Sequence, residues 1–436
     1  MKTSRLSLFL TLLSILLLFT FGSVIRAQDA QELTVTWWGS QARHDRTIEL
    51  IELFESEHPG LEITYEFSGW GDYWTRVNTQ ATGGNVACVM QQDYAYLTEW
   101  ATRDLLMPLD ELIESGAIDV SNVDQSVLDS GKVNGETFGI SLGTNSQTFI
   151  LDVDAFEAAG VELPAKDWTW EDFEEISNQI HEASGIWSIA YGPWDDNMMK
   201  SVLISSGQWL FSEDGSAIGI TEPQVWFDHL ARIKRLMDSG AIAPMEEQAD
   251  IAAAGLEGSP IVEGNEAIRY QWSNQVVALT TAAGEDRNFI LHPLPRVSEG
   301  QSANYLKPSM FFSITAGCPN PELAAEFINF ATNDLEANDI LFAERGVPIS
   351  SEVREYLAEK VDPVTAQIFE FIAEVGEDAS PVPLPDPAGW SDVNANVLYP
   401  QYIDQVLFGQ TTPEEGYDFF VSESNSILAQ NAATDE

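Results

Sequence analysis

The sequence predicts an α/β protein large enough for two lobes. Two observations carry this: a strand–helix–strand unit near the start, and strands alternating with helices along a 436-residue chain. In the first unit, Leu33, Val35 and Trp37 alternate with Thr34 and Thr36, the period of a strand. Gly39 and Ser40 break it. Ile48, Ile51 and Phe54, backed by Leu50 and Leu53, form a helical stripe that His58-Pro59-Gly60 ends. Leu61, Ile63 and Tyr65 then alternate with Glu62, Thr64 and Glu66 as a second strand. Ligands of such units bind beyond the carboxyl ends of the strands. Trp38, Gly39 and Ser40 follow the first strand, and Trp70, Asp72, Tyr73 and Trp74 are read as a loop after the second. Trp37 reads as core. Indole faces beside small polar groups suit a sugar ring, which offers C–H faces and a rim of hydroxyls.

The remaining elements continue the alternation, and mainly parallel sheets are expected. Val86 to Met90 reads as a strand and Tyr96 to Thr102 as a helix. Strand-like residues run through 139–145 and 148–151. Thr169 is a good N-cap with Asp172 three residues on. Pro223 to Ser239 is helical up to Gly240; Ala267 to Tyr270 and Phe311 to Thr315 are strands around further helices. Residues 376–391 form a Pro-rich crossing segment, and helical patterns at 397–407 and 413–428 close the chain.

Composition narrows the function. Residues 1–27 join a basic start to an apolar run and a small-residue end at Ala27, the pattern of a cleaved signal peptide. The run is short for a membrane span. No cysteine lies nearby, so a lipoprotein is not expected; the chain should be exported, to the periplasm or the outer face of the cell membrane. With 69 acidic residues against 20 basic ones, the formal charge is −49. Such a polyanion repels nucleic acid and anionic lipid. A saline or an acidic habitat would relieve its self-repulsion. Cys88 and Cys318 leave two readings open, a disulfide or buried free thiols, with the thiols favoured. No metal-ligand spacing occurs, and neither metal nor cofactor is implied.

Several strand ends repeat one theme, an aromatic with Asp, Asn or Gln beside it: Trp38-Gly39-Ser40, Asp93-Tyr94, Trp194-Asp195-Asp196-Asn197, Trp272-Ser273-Asn274 and Trp390-Ser391-Asp392. Thr144-Asn145 supplies a further polar end. Their spread suggests a cleft built from both lobes.

At this point the chain resembles the extracellular solute-binding proteins of carbohydrate ABC importers. Trp37-Trp38-Gly39, Arg43-His44 and Phe54-Glu55 through Pro59 resemble that family's opening. Gly69-Trp70-Gly71-Asp72-Tyr73 resembles its G-W-x-x-Y element. Gly135 to Asn145 resembles its hinge strand, with Ser141 in place of Pro. Trp168 to Phe173 and Pro321 to Phe327 resemble two of its helix starts. A strand usually written A-P-D-V reads Ala87-Cys88-Val89 here, so that Pro and Asp are absent.

The resemblance implies a two-lobed periplasmic-binding-protein type II fold with a hinge. One lobe would take residues 32–142 and 303–347; the other would take 143–302 and 348–436. A sugar or oligosaccharide would be trapped between them by hinge closure and handed to transmembrane permease subunits, with the protein a monomer. Expected ligand residues on the first lobe are Trp38, Gly39, Ser40, Trp70, Asp72, Trp74, Asp93 and Tyr94. The hinge and other lobe would add Asn145, Trp194, Asp195, Trp272, Asn274 and Trp390. Arg43 and His44, at a helix start, are a candidate anion site for a uronate; the competing reading pairs Arg43 with a nearby acid. Lys307 is a second candidate carboxylate partner. No catalytic residue is assigned. Two other functions stay open: binding of a polyol or glycerol phosphodiester, and a secreted glycoside hydrolase, which would need paired carboxylates. With so many acids, chance pairs carry no weight.

Overall fold

The computed structural model describes residues 31–39, 41–256, 258–284, 286–297 and 300–432. The leader 1–27 and Ser40 lie outside the described residues, as does the side chain of Trp70.

The opening unit folds as its pattern dictates. Strand β1 (Gln31–Trp38) leads through helix Gln41–Glu57 to β2 (Leu61–Ser68), and the two strands pair in parallel from Gln31↔Leu61 to Trp38↔Ser68. β3 (Val89–Gln92) pairs in parallel on the other side of β1. Leu33, Val35 and Trp37 are buried, and so is Thr36 on the opposite face, because both faces of this sheet are covered. Leu50, Ile51 and Phe54 are the buried stripe of the helix, and Phe54 meets Phe327 edge to face.

A hairpin of β4 (Lys132–Val133) and β5 (Glu136–Thr137) precedes β6 (Ile140–Ser141), β7 (Thr144–Asn145) and β8 (Gln147–Asp152). After a helical stretch come β9 (Ile268–Trp272), β10 (Phe289–His292), β11 (Lys307–Pro308) and β12 (Phe311–Ile314). The first sheet has the order β2-β1-β3-β12-β6; a second has β10-β8-β9. The expectation of mainly parallel sheets is corrected. β12 runs antiparallel to β3 and β6, and every pairing in the second sheet is antiparallel. One core holds Val35, Phe54, Phe312 and Phe327 against the first sheet and runs on to Ile150 and Phe289 of the second; another holds Phe149, Phe173, Trp226 and Tyr402 against the second sheet.

Residues 70–74 are likewise corrected. They are the first turn of helix Trp70–Gly83, with Gly69 as an N-cap that offers no side-chain bond. The helix turns Tyr73 and Trp74 inward, where they pack with Trp38 and Trp100. The Thr169 cap is as read: Thr169 and Asp172 form a reciprocal capping box at the start of helix Trp170–Ser184. Cys88 and Cys318, 4.5 Å apart at Cα, are disulfide-bonded, which replaces the free-thiol reading. Thr315 also donates its backbone N–H to the Cys88 carbonyl, so β12 delivers Cys318 beside the start of β3.

The chain crosses between the sheets on a ribbon. β7 lies between β6 and β8, and β11 between β10 and β12; the two pair antiparallel as Asn145↔Lys307 and Thr144↔Pro308. Val347 bridges Thr144 as a third crossing. A fourth is the Pro-rich stretch after helix Pro363–Glu377, tied down where the Tyr94 hydroxyl donates to the Pro383 carbonyl at 2.7 Å. Close approach fixes two glycines here. A Cβ on Gly143 would lie 2.6 Å from the Arg345 carbonyl, and Gly346 (φ +111°) turns against Thr144 and Asn145.

Candidate ligand-binding cleft

Residues opposite one another in an antiparallel pair point to the same face. Asn145 and Lys307 therefore project together from the ribbon into an open depression of about 370 Å³, also lined by Arg43, Trp272, Asn274, Ser309 and Arg345. Trp272 is half-buried at the end of β9, and the Lys307 ammonium sits 5.5 Å from its ring centre. Asn145 Oδ1 and Ser309 Oγ are buried without a hydrogen-bond partner among the described residues. A buried polar atom left unpaired costs about 1–3 kcal/mol, so Asn145 and Ser309 line the depression with hydrogen-bonding capacity that no described residue uses.

Lys307 also borders a second depression of about 160 Å³, lined by Asp93, Tyr94, Asn197, Lys200 and Asp386. Asp93 caps helix Tyr94–Thr102 by accepting from Ala95 N–H at 2.9 Å. Burial raises its pKa, against the Ala95 bond and the Lys307 charge. On the far wall Lys200, almost fully buried, meets Asp386 at 2.5 Å and Asp196 at 3.4 Å. Asp196 also accepts from Trp390 Nε1 and the Tyr399 hydroxyl, each at 3.1 Å. Its neighbour Asp195 caps helix Asp196–Ser205 through Met198 N–H, and burial lifts its pKa to about 6.

Arg43 and His44 do not form an open anion site. Arg43 Nε contacts both oxygens of Glu344, at 2.8 and 3.1 Å, as the acid-pairing reading expects. His44 is buried against Phe67 and accepts from Trp37 Nε1 at 3.1 Å; burial and then Arg43 lower its pKa, so it is neutral at pH 7. Arg345, fully buried, donates to Gln91 Oε1 at 3.1 Å and Thr47 Oγ1 at 2.8 Å. Burial and Arg43 bring its pKa to about 9, which leaves it cationic at neutral pH.

Residues 49–363 match the family model for bacterial extracellular solute-binding proteins. The chain belongs to this family. Its two-lobed fold is shared with an extracellular solute-binding protein family 1 member from Alicyclobacillus acidocaldarius, at 27% identity and a TM-score of 0.82 over 92% of this chain and all of that one. An oligogalacturonide-binding protein from Yersinia enterocolitica superposes with a TM-score of 0.78 at 22% identity, over 92% of this chain and all of its own. A lactose-binding protein of Rhizobium radiobacter is 22% identical over 73% of this chain and 74% of its own. The chain spans about half the length of the first curated relatives it matches: a binding protein of Brucella abortus is 24% identical over 45% of this chain and 47% of that protein.

In this solute-binding protein the cleft brings together Arg43, Asp93, Tyr94, Asn145, Trp272, Asn274 and Lys307. Trp38, Trp74, Trp194 and Trp390 are instead buried in the cores, each at most 7% exposed. Gly39 donates to the Ser68 carbonyl with Arg43 packed over it. Asp72 is exposed on the first turn of its helix, and Asp195 is held as a cap. Asn197 stood in the Trp194-to-Asn197 strand end of the sequence reading, which missed Arg345, Lys200, Ser309 and Asp386. No local pattern marks them, because their partners lie far along the chain: Arg345 to Gln91 spans 254 positions and Lys200 to Asp386 spans 186. Among the described residues, no group of three or more His, Cys, Asp or Glu is placed to hold a metal ion.

Proposed function

We propose that this protein captures a sugar or oligosaccharide in the cleft beside the crossing ribbon, closes over it, and delivers it to the permease of an ABC importer. One observation carries the reading: the half-buried face of Trp272 adjoins two unpaired polar atoms, Asn145 Oδ1 and Ser309 Oγ. An aromatic face covers the apolar side of a pyranose, and fixed polar atoms replace its water bonds. The relatives named for lactose and oligogalacturonide support the same class of solute.

The reading includes the lobe division 32–142 with 303–347 against the remainder, a cleaved leader at 1–27, and hinge motion on the ribbon. In support, the first sheet draws its strands from 31–141 and 311–314. The hydrolase reading has little to stand on. Asp195 is engaged as a helix cap and Asp196 is bonded to Trp390, Tyr399 and Lys200, so neither is poised over an open bond. Titration calorimetry and tryptophan emission against a panel of oligosaccharides test the proposal. Saturable binding without turnover, lost in Asn145→Ala, is expected; release of cleaved sugar would overturn it.

A further inference from the structure

The depression under Trp272 inverts the charge balance of the chain. The protein has 69 acidic and 20 basic residues, yet this depression is lined by Arg43, Lys307 and Arg345 against one acid, Glu344. Glu344 pairs with Arg43 at 2.8 Å and lies 3.9 Å from Arg345, so a single carboxylate faces two guanidiniums. Among the described residues Lys307 is the one lysine or arginine with neither an ion pair nor a hydrogen bond. In so acidic a chain an ammonium is readily supplied with a carboxylate. This one is held over an aromatic ring at the mouth of both depressions, and the acid that feels its charge, Asp93, makes no ion pair with it.

We propose that the solute is an acidic sugar, and that Lys307 binds the carboxylate of a uronic acid unit whose ring stacks on Trp272. The inference rests on the sugar-capture reading and narrows it. The net charge of the chain does not oppose it at physiological salt, because screening beyond about 8 Å leaves the local cations to decide. A carboxylate entering here gains a charge-assisted bond to Lys307 and the field of the Arg43–Arg345 pair. Asn145, beside Lys307 on the ribbon, remains for a hydroxyl of the same ring.

The test is calorimetry of the full-length secreted protein with galacturonate and glucuronate disaccharides and their neutral galactose and glucose counterparts. Expected is a preference of at least tenfold for an acidic disaccharide. Lys307→Gln should reduce that preference to within about threefold, and Lys307→Arg should keep most of it, with unchanged circular dichroism in both. Equal affinity for acidic and neutral forms, insensitive to Lys307→Gln, overturns the acidic-sugar inference and leaves sugar capture standing. Binding of no disaccharide in the panel overturns both.

Discussion

Lys200 and Lys307 border the same depression and have opposite surroundings. Lys200 is 7% exposed and held between Asp196 and Asp386. Lys307 is exposed, sits over a tryptophan ring and reaches Asp93 only through its field, with no ion pair. The first is a fastener: it neutralises a carboxylate buried beneath it and ties down the Pro-rich crossing segment. The second keeps its charge open to whatever enters. An ammonium committed on all sides has nothing left to give a ligand, so within one cleft the partners, not the residue type, separate support from recognition.

The contrast can be broken most forcefully at Lys200. Lys200→Met would leave Asp196 charged and buried without a cation, and stability should fall by about 3–5 kcal/mol in urea denaturation at pH 7. Trp272→Ala should leave stability nearly unchanged and weaken sugar binding on the order of tenfold by calorimetry, since the stacking surface is removed while the ribbon stays intact. Asp195 gives a pH test beside Lys200. Burial holds its pKa at about 6, whereas an unfolded aspartate titrates near 4. Between those values the folded chain keeps a proton that the unfolded chain has released, so stability falls as pH rises from about 4 to 6. Asp195→Asn, which keeps the helix cap, should flatten that part of the stability–pH curve. Asp386→Asn removes the partner that is 47% exposed, and about 1 kcal/mol or less is expected. Lys307→Gln should change stability least, within about 0.5 kcal/mol. A large loss there would show that Lys307 is structural and erase the contrast.

Local pattern made much of the fold legible. The alternation in 33–37 and 61–66, the Thr169–Asp172 box and the glycine after Ser239 each act within a few residues, and each appears where it was read. The aromatic segment 70–74 was not legible as helix because Gly69 provides no side-chain cap, and its inward turn depends on Trp38, Tyr96 and Trp100. The same limit applies to the cleft. An aromatic beside a polar residue looks alike at Trp272 and at Trp390. Only packing distinguishes them: Trp390 lies edge-on to Phe211 and donates to Asp196, whereas Trp272 ends a strand at the ribbon. The antiparallel second sheet escaped for a related reason, since β8 and β9 are separated by more than a hundred residues and pair with no turn between them to signal it.

The disulfide has a consequence for how the two halves stay together. Cys88 precedes the first crossing and Cys318 follows the return at β12, so residues 89–317, with all three strands of the second sheet, form a covalently closed loop hung from the first sheet. A protease that cuts this loop once leaves the fragments joined until a reductant is added. An inserted half that loosens or unfolds is still leashed at both ends to the same point, and can re-dock without having to find its partner again.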